Sequence, residues 1–381
     1  MRVCVIGGGG REHALRHVLS RTAEVVEHDA DLYVIGPEAP LVDGLADRLR
    51  GQGKLVFGPG ADGARLEGSK AWMKEVLASA GVPTARYGVF TDIDPAVEFL
   101  KSLPGLYVVK TDGLAAGKGV LVTESLADAA EDVRAKLSGT AFGPAGRTVV
   151  IEEGLTGGEL SVLAVCDGER GAVLPTARDF KRAGDGDTGP NTGGMGAYSP
   201  VPDAAGLSFD DIIDRTLAEL RRREIEYRGV LYAGLMLTPD GVKVLEYNVR
   251  FGDPEAQVVL PRYRGDLAGL LAEAAAGRLR SEPAAVDDAC VCVVLAAAGY
   301  PAAPRSGDVV SGVEEAREVE GTLVFEAGVS RDGDGNLVTT AGRVLDVCAL
   351  GETVAEARRR AYEAAGCIKF AGMQYRSDIA A

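Results

Sequence analysis

The stretch VKVLEYNVRFGDPEAQ, residues 242–257, sets charged and amide side chains within the apolar pattern of a β-strand. Successive side chains of a strand point to opposite faces, so Glu246, Asn248 and Arg250 are predicted to share one face. Such a triplet is costly in a core unless its members are paired or liganded. Two oxygen ligands beside a guanidinium suit Mg²⁺ on a phosphate, which predicts a metal site at Glu246 and Asn248. A structural salt bridge is the alternative interpretation.

Two lysines frame a glycine-rich segment, VVKTDGLAAGKGV at residues 108–120. Lys110 belongs to a strand pattern, whereas Lys118 lies among the glycines of a loop. Lysines that neutralise charge, on a loop that closes, suit a nucleotide triphosphate. The chain has no Walker A motif, and a solvated lysine in a hairpin is the alternative interpretation.

The downstream stretch IEEGLTGGELS (151–161) ends a strand with acids. Glu159 in this stretch suits a ribose diol, although acids at strand ends are mostly solvated.

The glycine run GGGGREHAL, residues 7–15, follows the strand pattern RVCVIG and precedes a helical pattern. Such a turn brings backbone N–H groups to an anion at a helix N-terminus. A dinucleotide fingerprint would need glycine where Glu12 stands, and the acids Asp29 and Asp31 precede a strand instead of ending one. Arg11 beside the glycines fits a terminal phosphate better, because a guanidinium adds a bidentate ionic contact. A tight structural turn is the alternative.

Composition restricts the class of protein. The 381 residues carry a net charge of −15 and no long basic run, which argues against general binding to nucleic acid or anionic membranes. Six cysteines without CxxC spacing are typical of buried residues in a reducing cytosol, and three histidines make a histidine-rich metal site unlikely to form. No stretch reaches the length of a membrane span, and no signal peptide precedes the first strand, so we predict a cytoplasmic protein.

The order of patterns predicts an α/β protein. Residues 1–60 alternate strands and helices as βαβαβ, the start of a parallel sheet with binding loops at strand ends. A helix is expected from Leu66 to Ala80, and the residues 180–200 are expected to form a long functional loop. A new, strand-rich unit begins near residue 289, where the turn DGDGN predicts a hairpin in preference to a calcium loop.

Taken in order, these motifs resemble the ATP-grasp superfamily, and within it the phosphoribosylamine–glycine ligase family. The matching stretches run through nearly the whole chain and include GGGGREHAL, VIGPEAPLVDGLAD, LEGSKAWMK, DGLAAGKGV, DGDTGPNTGGMGAYSP, EYNVRFGDPEAQ, AAAGYP, AGRVLDV and MQYRSDI. The resemblance implies an ATP-grasp fold with an N-terminal Rossmann-like parallel-sheet domain (1–65), an ATP-grasp domain (66–288, with a mobile lid at about 84–155) and a small C-terminal β-rich domain (289–381).

The resemblance also implies a role for each matching residue. For ATP these are the phosphate-binding Lys70 and Lys110, the closing loop Gly117, Lys118 and Gly119, the adenine hinge Glu152, Glu153 and Leu155, and the ribose acid Glu159. For the substrates they are Gly9, Gly10, Arg11, Gly36, Pro37 and Glu38 at phosphoribosylamine, and Thr192, Gly193, Gly194, Met195, Gly196 and Arg250 at the acyl phosphate. Glu246 and Asn248 match the ligands of Mg²⁺ or Mn²⁺, and the catalytic residues are expected to be Arg250, Lys118 and Lys110.

The implied reaction fits this chemistry. ATP phosphorylates the glycine carboxylate, and the amine of 5-phosphoribosylamine attacks the glycyl phosphate to give glycinamide ribonucleotide, ADP and phosphate. No side-chain nucleophile is required, because positioning and charge neutralisation carry the reaction. The implied partners are these small molecules, with no nucleic acid and no membrane, and the implied state is a monomer.

The chain departs from the family pattern in three places, one of which is that it stops at SDIAA, a little short of the expected C-terminus. Only EHDA (27–30) stands where the family has a further strand, loop and helix. The apolar strand patterns on either side of it are so close that we expect no room for the crossover connection that joins two parallel strands. Glu326 stands where the family usually has histidine. Two other functions remain open: a related carboxylate–amine ligase with another amine or amino acid, and an inactive nucleotide-binding protein.

Overall fold

The computed structural model describes residues 1–114, 119–139 and 147–381, so the predicted loop residues Gly117 and Lys118 lie outside it. The N-terminal sheet is parallel, in the order β2-β1-β3-β4. Its elements are β1 (Arg2–Ile6), α1 (Gly10–Leu19), β2 (Glu24–Val26), β3 (Leu32–Ile35), α2 (Glu38–Val42), α3 (Leu45–Gly51) and β4 (Leu55–Phe57). The predicted parallel sheet is therefore present.

The expectation that the segment after β2 leaves no crossover is wrong. Strands β2 and β3 are not neighbours, because each pairs with one edge of β1. Val26 lies beside Cys4 and Leu32 beside Val3, so residues 27–31 need only cross one strand, a span of about 10 Å. Five residues can reach further than that, which makes the short connection possible.

The predicted helix from Leu66 to Ala80 is two helices, α4 (Ala61–Gly68) and α5 (Lys70–Ala80). Ser69 between them is extended, and its Oγ accepts a hydrogen bond from Trp72 N, so it caps α5. Gly81 ends α5 in the left-handed conformation at a φ of 65°. The break places Lys70 at the start of a helix.

A second sheet corresponds to the predicted lid. It is antiparallel, in the order β5-β8-β6-β7, and two helices cover it. Its elements are β5 (Tyr87–Phe90), α6 (Ile93–Lys101), β6 (Tyr107–Thr111), β7 (Val120–Thr123), α7 (Leu126–Leu137) and β8 (Val149–Glu153). Val109, Ile151 and Leu100 belong to a hydrophobic cluster of their own, separate from the two larger clusters of the protein.

The remaining strands form two further antiparallel sheets, β10-β9-β15-β16 and β11-β14-β17-β21-β18, and two ribbons, β12-β13 and β19-β20. The elements up to residue 275 are β9 (Gly158–Asp167), β10 (Gly171–Val173), β11 (Arg178–Asp179), β12 (Arg182–Gly184), β13 (Thr188–Asn191), β14 (Gly196–Ser199), α8 (Asp210–Arg222), β15 (Arg228–Thr238), β16 (Gly241–Asn248), α9 (Ala256–Val259) and α10 (Leu267–Ala275). The last part contains β17 (Ala289–Ala296), α11 (Val313–Arg317), β18 (Thr322–Glu326), β19 (Val329–Arg331), β20 (Leu337–Thr339), β21 (Arg343–Gly351) and α12 (Val354–Cys367).

The residues 180–200, expected as a loop, contain a hairpin and a strand. Strand β14 pairs with β17, so this segment and the C-terminal strands share one sheet. DGDGN forms the turn of the β19-β20 ribbon, as expected of a hairpin. Across the described ranges no helix is long and apolar enough to cross a membrane.

Candidate active site

Two lysines near the lid sheet, Lys74 and Lys110, form ion pairs with one buried acid, Glu152. Lys110 on β6 has its Nζ 2.7 Å from Glu152 Oε1 and donates to the carbonyl of Leu245 at 3.2 Å. Lys74 on α5 donates to Glu152 Oε2 at 2.7 Å and to Thr84 Oγ1 at 2.7 Å. Burial opposes ionisation of Glu152, yet the two lysines hold its pKa below the usual value. The sequence grouped Glu152 with the adenine hinge, whereas its carboxylate is occupied by two lysines.

Lys74 is a buried lysine that the sequence analysis missed. Its side chain is fully buried, and burial lowers its pKa to about 8. It follows Lys70 by one helical turn, and this i, i+4 spacing is the signal that could have indicated a second lysine on that face. Lys70 Nζ donates to the carbonyl of Gly113 at 2.8 Å, and burial lowers its pKa while the charge of Glu246 raises it.

We expect Lys74→Met to lower the free energy of unfolding by about 3 kcal/mol, because Glu152 then stays buried with one cation in place of two. Urea unfolding at pH 7 measures this. Lys101→Met, which removes an exposed pair with Glu98, is the control and should change the free energy by less than about 1 kcal/mol. Equal stability of Lys74→Met and wild type would contradict the role of Glu152 as a shared counter-ion.

Glu159, the predicted ribose acid, is paired with a lysine that the sequence analysis did not single out. Glu159 Oε2 lies 2.5 Å from Lys181 Nζ, and Lys181 also lies 3.4 Å from Asp179 Oδ1. The charge of Lys181 lowers the pKa of Glu159, whereas burial raises the pKa of Asp179 to about 7. The i, i+2 spacing of Asp179 and Lys181 places them on one face of the chain beyond β11.

The other residues predicted to bind the nucleotide lie along strand β6 of the lid sheet. Glu153 ends β8 and its Oε1 accepts a hydrogen bond from Arg86 N at 2.9 Å. Leu155 follows in a partly buried loop, and Gly119 accepts a hydrogen bond at its carbonyl from Thr111 N at 2.9 Å. Glu153 pairs with Tyr107 at the start of β6, whereas Gly119 lies beside Thr111 at its end, so these positions lie at opposite ends of the strand that carries Lys110.

The residues predicted to hold a metal and a phosphate lie together at the end of β16. Glu246 and Asn248 alternate with the buried Tyr247 and Val249, and Arg250 Nη2 donates to Asn248 Oδ1 at 3.3 Å. Within the described residues the carboxylate of Glu246 has no hydrogen-bond or ion-pair partner, so it is available to a ligand. The same ranges contain no group of three or more His, Cys, Asp or Glu side chains suited to hold a metal.

Arg250 is held by two acids from the N-terminal part of the chain. Its Nη2 donates to Glu67 Oε1 at 2.9 Å and its Nε to Glu38 Oε2 at 3.2 Å. Burial would lower the pKa of Arg250, but these carboxylates raise it above the usual value. Glu67 also accepts from Val249 N at 2.9 Å, which fixes the backbone beside Asn248. Glu67 was not among the predicted residues.

The glycine turn before α1 is occupied by an acid of its own helix. Glu12 Oε2 accepts a hydrogen bond from Gly9 N at 2.7 Å, and Glu12 Oε1 from Arg11 Nε at 2.7 Å. A Cβ added at Gly36 would lie 2.1 Å from Glu12 Oε1, so that second loop is glycine because Glu12 packs against it. Pro37 and Glu38 follow at the start of α2.

Arg11 differs from the expected open phosphate ligand. Its side chain is buried, and its Nη1 donates to the carbonyl of Phe251 at 3.2 Å. Gly10 is equally enclosed, since an added Cβ would lie 1.7 Å from Asp346 Oδ2. Gly8 has open space around it, so an anion at this turn has more room beside Gly8 than beside Gly10.

The predicted loop Thr192–Gly196 is fixed by internal bonds. Thr192 Oγ1 donates to the carbonyl of Lys181 at 2.9 Å and accepts from Gly194 N at 3.0 Å. Met195 N donates to the carbonyl of Phe180 at 2.7 Å, and Gly196 begins β14. Gly193 N donates to Tyr300 at 2.9 Å, so the C-terminal part of the chain contacts this loop.

Comparison with protein families gives three matches along the chain. The models describe phosphoribosylglycinamide synthetase: its N domain at residues 22–67, its ATP-grasp (A) domain at 68–256 and its C domain at 290–381.

Similar individual proteins cover the whole chain. Phosphoribosylamine–glycine ligase of Streptomyces coelicolor is 47% identical, with 100% of this chain and 99% of that protein covered. The Vibrio cholerae protein of the same name is 43% identical, with 100% and 97% covered. The Streptomyces alignment spans 422 positions against the 381 residues here, so that relative has residues without a counterpart in this chain.

Solved structures of other proteins share this fold over nearly the whole chain. The crystal structure of phosphoribosylamine–glycine ligase from Thermotoga maritima is 37% identical with a TM-score of 0.87, and 100% of each chain is covered. A biotin carboxylase domain from Hydrogenobacter thermophilus shares the fold at a TM-score of 0.74 and 16% identity, with 98% of this chain and 91% of that chain covered.

Proposed function

The chain belongs to the phosphoribosylglycinamide synthetase family, and we propose that Lys70, Lys110, Glu246, Asn248 and Arg250 carry out its ATP-dependent reaction. It is a ligase of ATP-grasp fold that joins glycine to 5-phosphoribosylamine in purine biosynthesis. The observation that carries the residue assignment is the carboxylate of Glu246, which has no partner among the described residues, beside Asn248, to which the guanidinium of Arg250 is bonded.

The donor set at β16 fits a magnesium or manganese ion. A carboxylate and an amide oxygen on one strand face are hard ligands, and Mg²⁺ usually takes one or two protein ligands with phosphate oxygens completing its shell. In this proposal Glu246 and Asn248 hold the ion, which supplies positive charge to the phosphates when bound. The ATP-grasp domain implies ATP and a divalent metal, and Glu246 and Asn248 are the proposed ligands of that metal.

The lysines and Arg250 provide the rest of the charge. Lys110 and Lys70 bind the phosphates of ATP, and the ion pair with Glu152 fixes the direction of Lys110. A glycine carboxylate oxygen attacks the γ-phosphorus, which gives glycyl phosphate and ADP. The amine of phosphoribosylamine then attacks the carbonyl carbon, and phosphate leaves. Arg250 stabilises the acyl phosphate oxygens, and its bonds to Glu67 and Glu38 orient it before the substrates bind.

The substrates are proposed to lie between two loops. Gly9, Gly10, Arg11, Gly36, Pro37 and Glu38 form the phosphoribosylamine side, and residues 192–196 form the side of the acyl phosphate. Glu153, Leu155, Glu159 and Gly119 are proposed contacts of the nucleoside, and Glu159 would exchange Lys181 for a ribose hydroxyl. Arg250 contacts Glu38 of the phosphoribosylamine side and Asn248 at the end of β16.

We expect purified protein with Mg²⁺ to release ADP only when ATP, glycine and freshly made phosphoribosylamine are all present. Coupled ADP detection, with each substrate omitted in turn, measures this. The alternative function, a related ligase with another amine or amino acid, predicts faster ADP release with a different acceptor. Absence of ADP release with every acceptor would contradict ligase activity.

Other features remain proposals. We propose a cytoplasmic location, which the six free cysteines support. We also propose a monomer and the three-part division 1–65, 66–288 and 289–381. Light scattering tests the monomer, and limited proteolysis tests the division.

A further inference from the structure

Asp253 of the RFGDPE motif lies between the two proposed substrate loops, although no role was assigned to it. A Cβ added at Gly9 would lie 4.0 Å from its Oδ2, so its carboxylate faces the glycine turn before α1. Its backbone carbonyl and that of Gly193 both accept hydrogen bonds from Arg343 Nη1, at 2.9 and 2.8 Å. Asp253 is thus placed against both loops by contacts that are independent of each other.

The carboxylate of Asp253 is fixed but not saturated. Oδ1 accepts from Gln257 Nε2 at 2.7 Å and Oδ2 accepts from Arg343 Nη2 at 2.9 Å. A carboxylate has about four acceptor positions, so each oxygen can take a further donor. The side chain is 18% exposed, which leaves room for one. Burial would raise its pKa, but Arg343 and Arg11 keep the pKa below the usual value, so the group is anionic.

The residues behind Asp253 come from the C-terminal part of the chain. Arg343 begins β21, and Asp346 on the same strand accepts from Gln257 Nε2 at 2.9 Å. Asp346 is 1% exposed and its Oδ1 has no partner, and burial raises its pKa to about 7. Gln257 therefore bridges an anionic carboxylate at the cleft and a buried carboxyl behind it.

We propose that Asp253 contacts substrate and reads the sugar hydroxyl groups of phosphoribosylamine. The inference rests on the proposed function of the loops at Gly9 and Gly193. An anionic carboxylate beside Gly9 repels the sugar phosphate, so the phosphate lies further along the turn and the hydroxyls face Asp253. Arg343 and Gln257 are positioning residues, because they act through Asp253.

The test compares Michaelis constants of Asp253→Asn for the three substrates. A lost hydrogen bond to a charged acceptor should raise the KM for phosphoribosylamine roughly 10- to 100-fold, while those for glycine and ATP stay within about twofold. Arg343→Met should raise the KM for both phosphoribosylamine and glycine, because it also releases Gly193.

Arg331→Met, an exposed arginine of the C-terminal ribbon, is the control and should leave all three constants unchanged. Unchanged constants in Asp253→Asn would overturn the inference, and a rise for glycine alone would move the contact to its ammonium group. Equal rises for all three, with a lowered unfolding midpoint, would make Asp253 structural only. Wild-type protein that ignores phosphoribosylamine would refute the proposed function instead.

Discussion

Replacing Glu246 by alanine is expected to lower kcat by about 10³-fold while the fold stays intact. The carboxylate of Glu246 has no partner among the described residues, so its removal breaks no bond of the folded protein. Its loss leaves the proposed metal with Asn248 as the only protein ligand. ADP release with saturating substrates, followed across a Mg²⁺ titration, measures the effect.

Asp240→Ala is the matched control, since Asp240 is an exposed acid at the turn that joins β15 and β16. It should turn over at the wild-type rate. The Mg²⁺ concentration for half-maximal activity should rise for Glu246→Ala but not for Asp240→Ala. Near wild-type kcat of Glu246→Ala at saturating Mg²⁺ would contradict the assignment of Glu246 as a ligand.

The second large effect is expected for Arg250→Lys, which should lower kcat by about 10²- to 10³-fold. Arg250 reaches Glu67, Glu38 and Asn248 through two separate nitrogens, at 2.9, 3.2 and 3.3 Å. An ammonium group is a single point of contact and cannot span all three while also reaching an acyl phosphate. Single-turnover formation of ADP measures the step directly.

A comparison of two substitutions separates charge from geometry. Arg250→Lys keeps a cation for Glu67 and Glu38, so its loss in free energy of unfolding should be smaller than that of Arg250→Met. Arg250→Met leaves Glu67 buried without its counter-ion and should lose about 3–5 kcal/mol in urea unfolding. Wild-type kcat in Arg250→Lys would show that the guanidinium geometry is not needed.

The features that follow from local periodicity could be predicted from the sequence. Alternation along β16 indicated that Glu246 and Asn248 share a face, and the apolar runs RVCVIG and LYVI indicated parallel strands. These predictions depend only on neighbouring residues, because the side-chain period of a strand is fixed by its backbone. The ATP-grasp fold and the family were also predicted correctly.

Features set by distant residues could not be predicted in this way. The expected helix over 66–80 breaks at Ser69, whose side chain accepts from Trp72 N and bonds to Asp112 on another element. The family resemblance assigned Glu152 to the adenine hinge, and it did not indicate that Lys74 and Lys110 approach its carboxylate from other elements. Which side chains pair with each other in this way depends on tertiary packing, and local sequence patterns do not contain that information.

The buried Arg376 also affects the order in which the protein can become active during synthesis. It lies 4.9 Å from the Phe180 ring and contacts Asp187 at 2.7 Å, while Ser377 N bonds to Asp185. The segment 185–187 precedes the substrate loop 192–196, yet its partners are translated almost two hundred residues later. A nascent chain on the ribosome therefore cannot form these contacts until Arg376 and Ser377 have been synthesised, long after the strands β5 to β8.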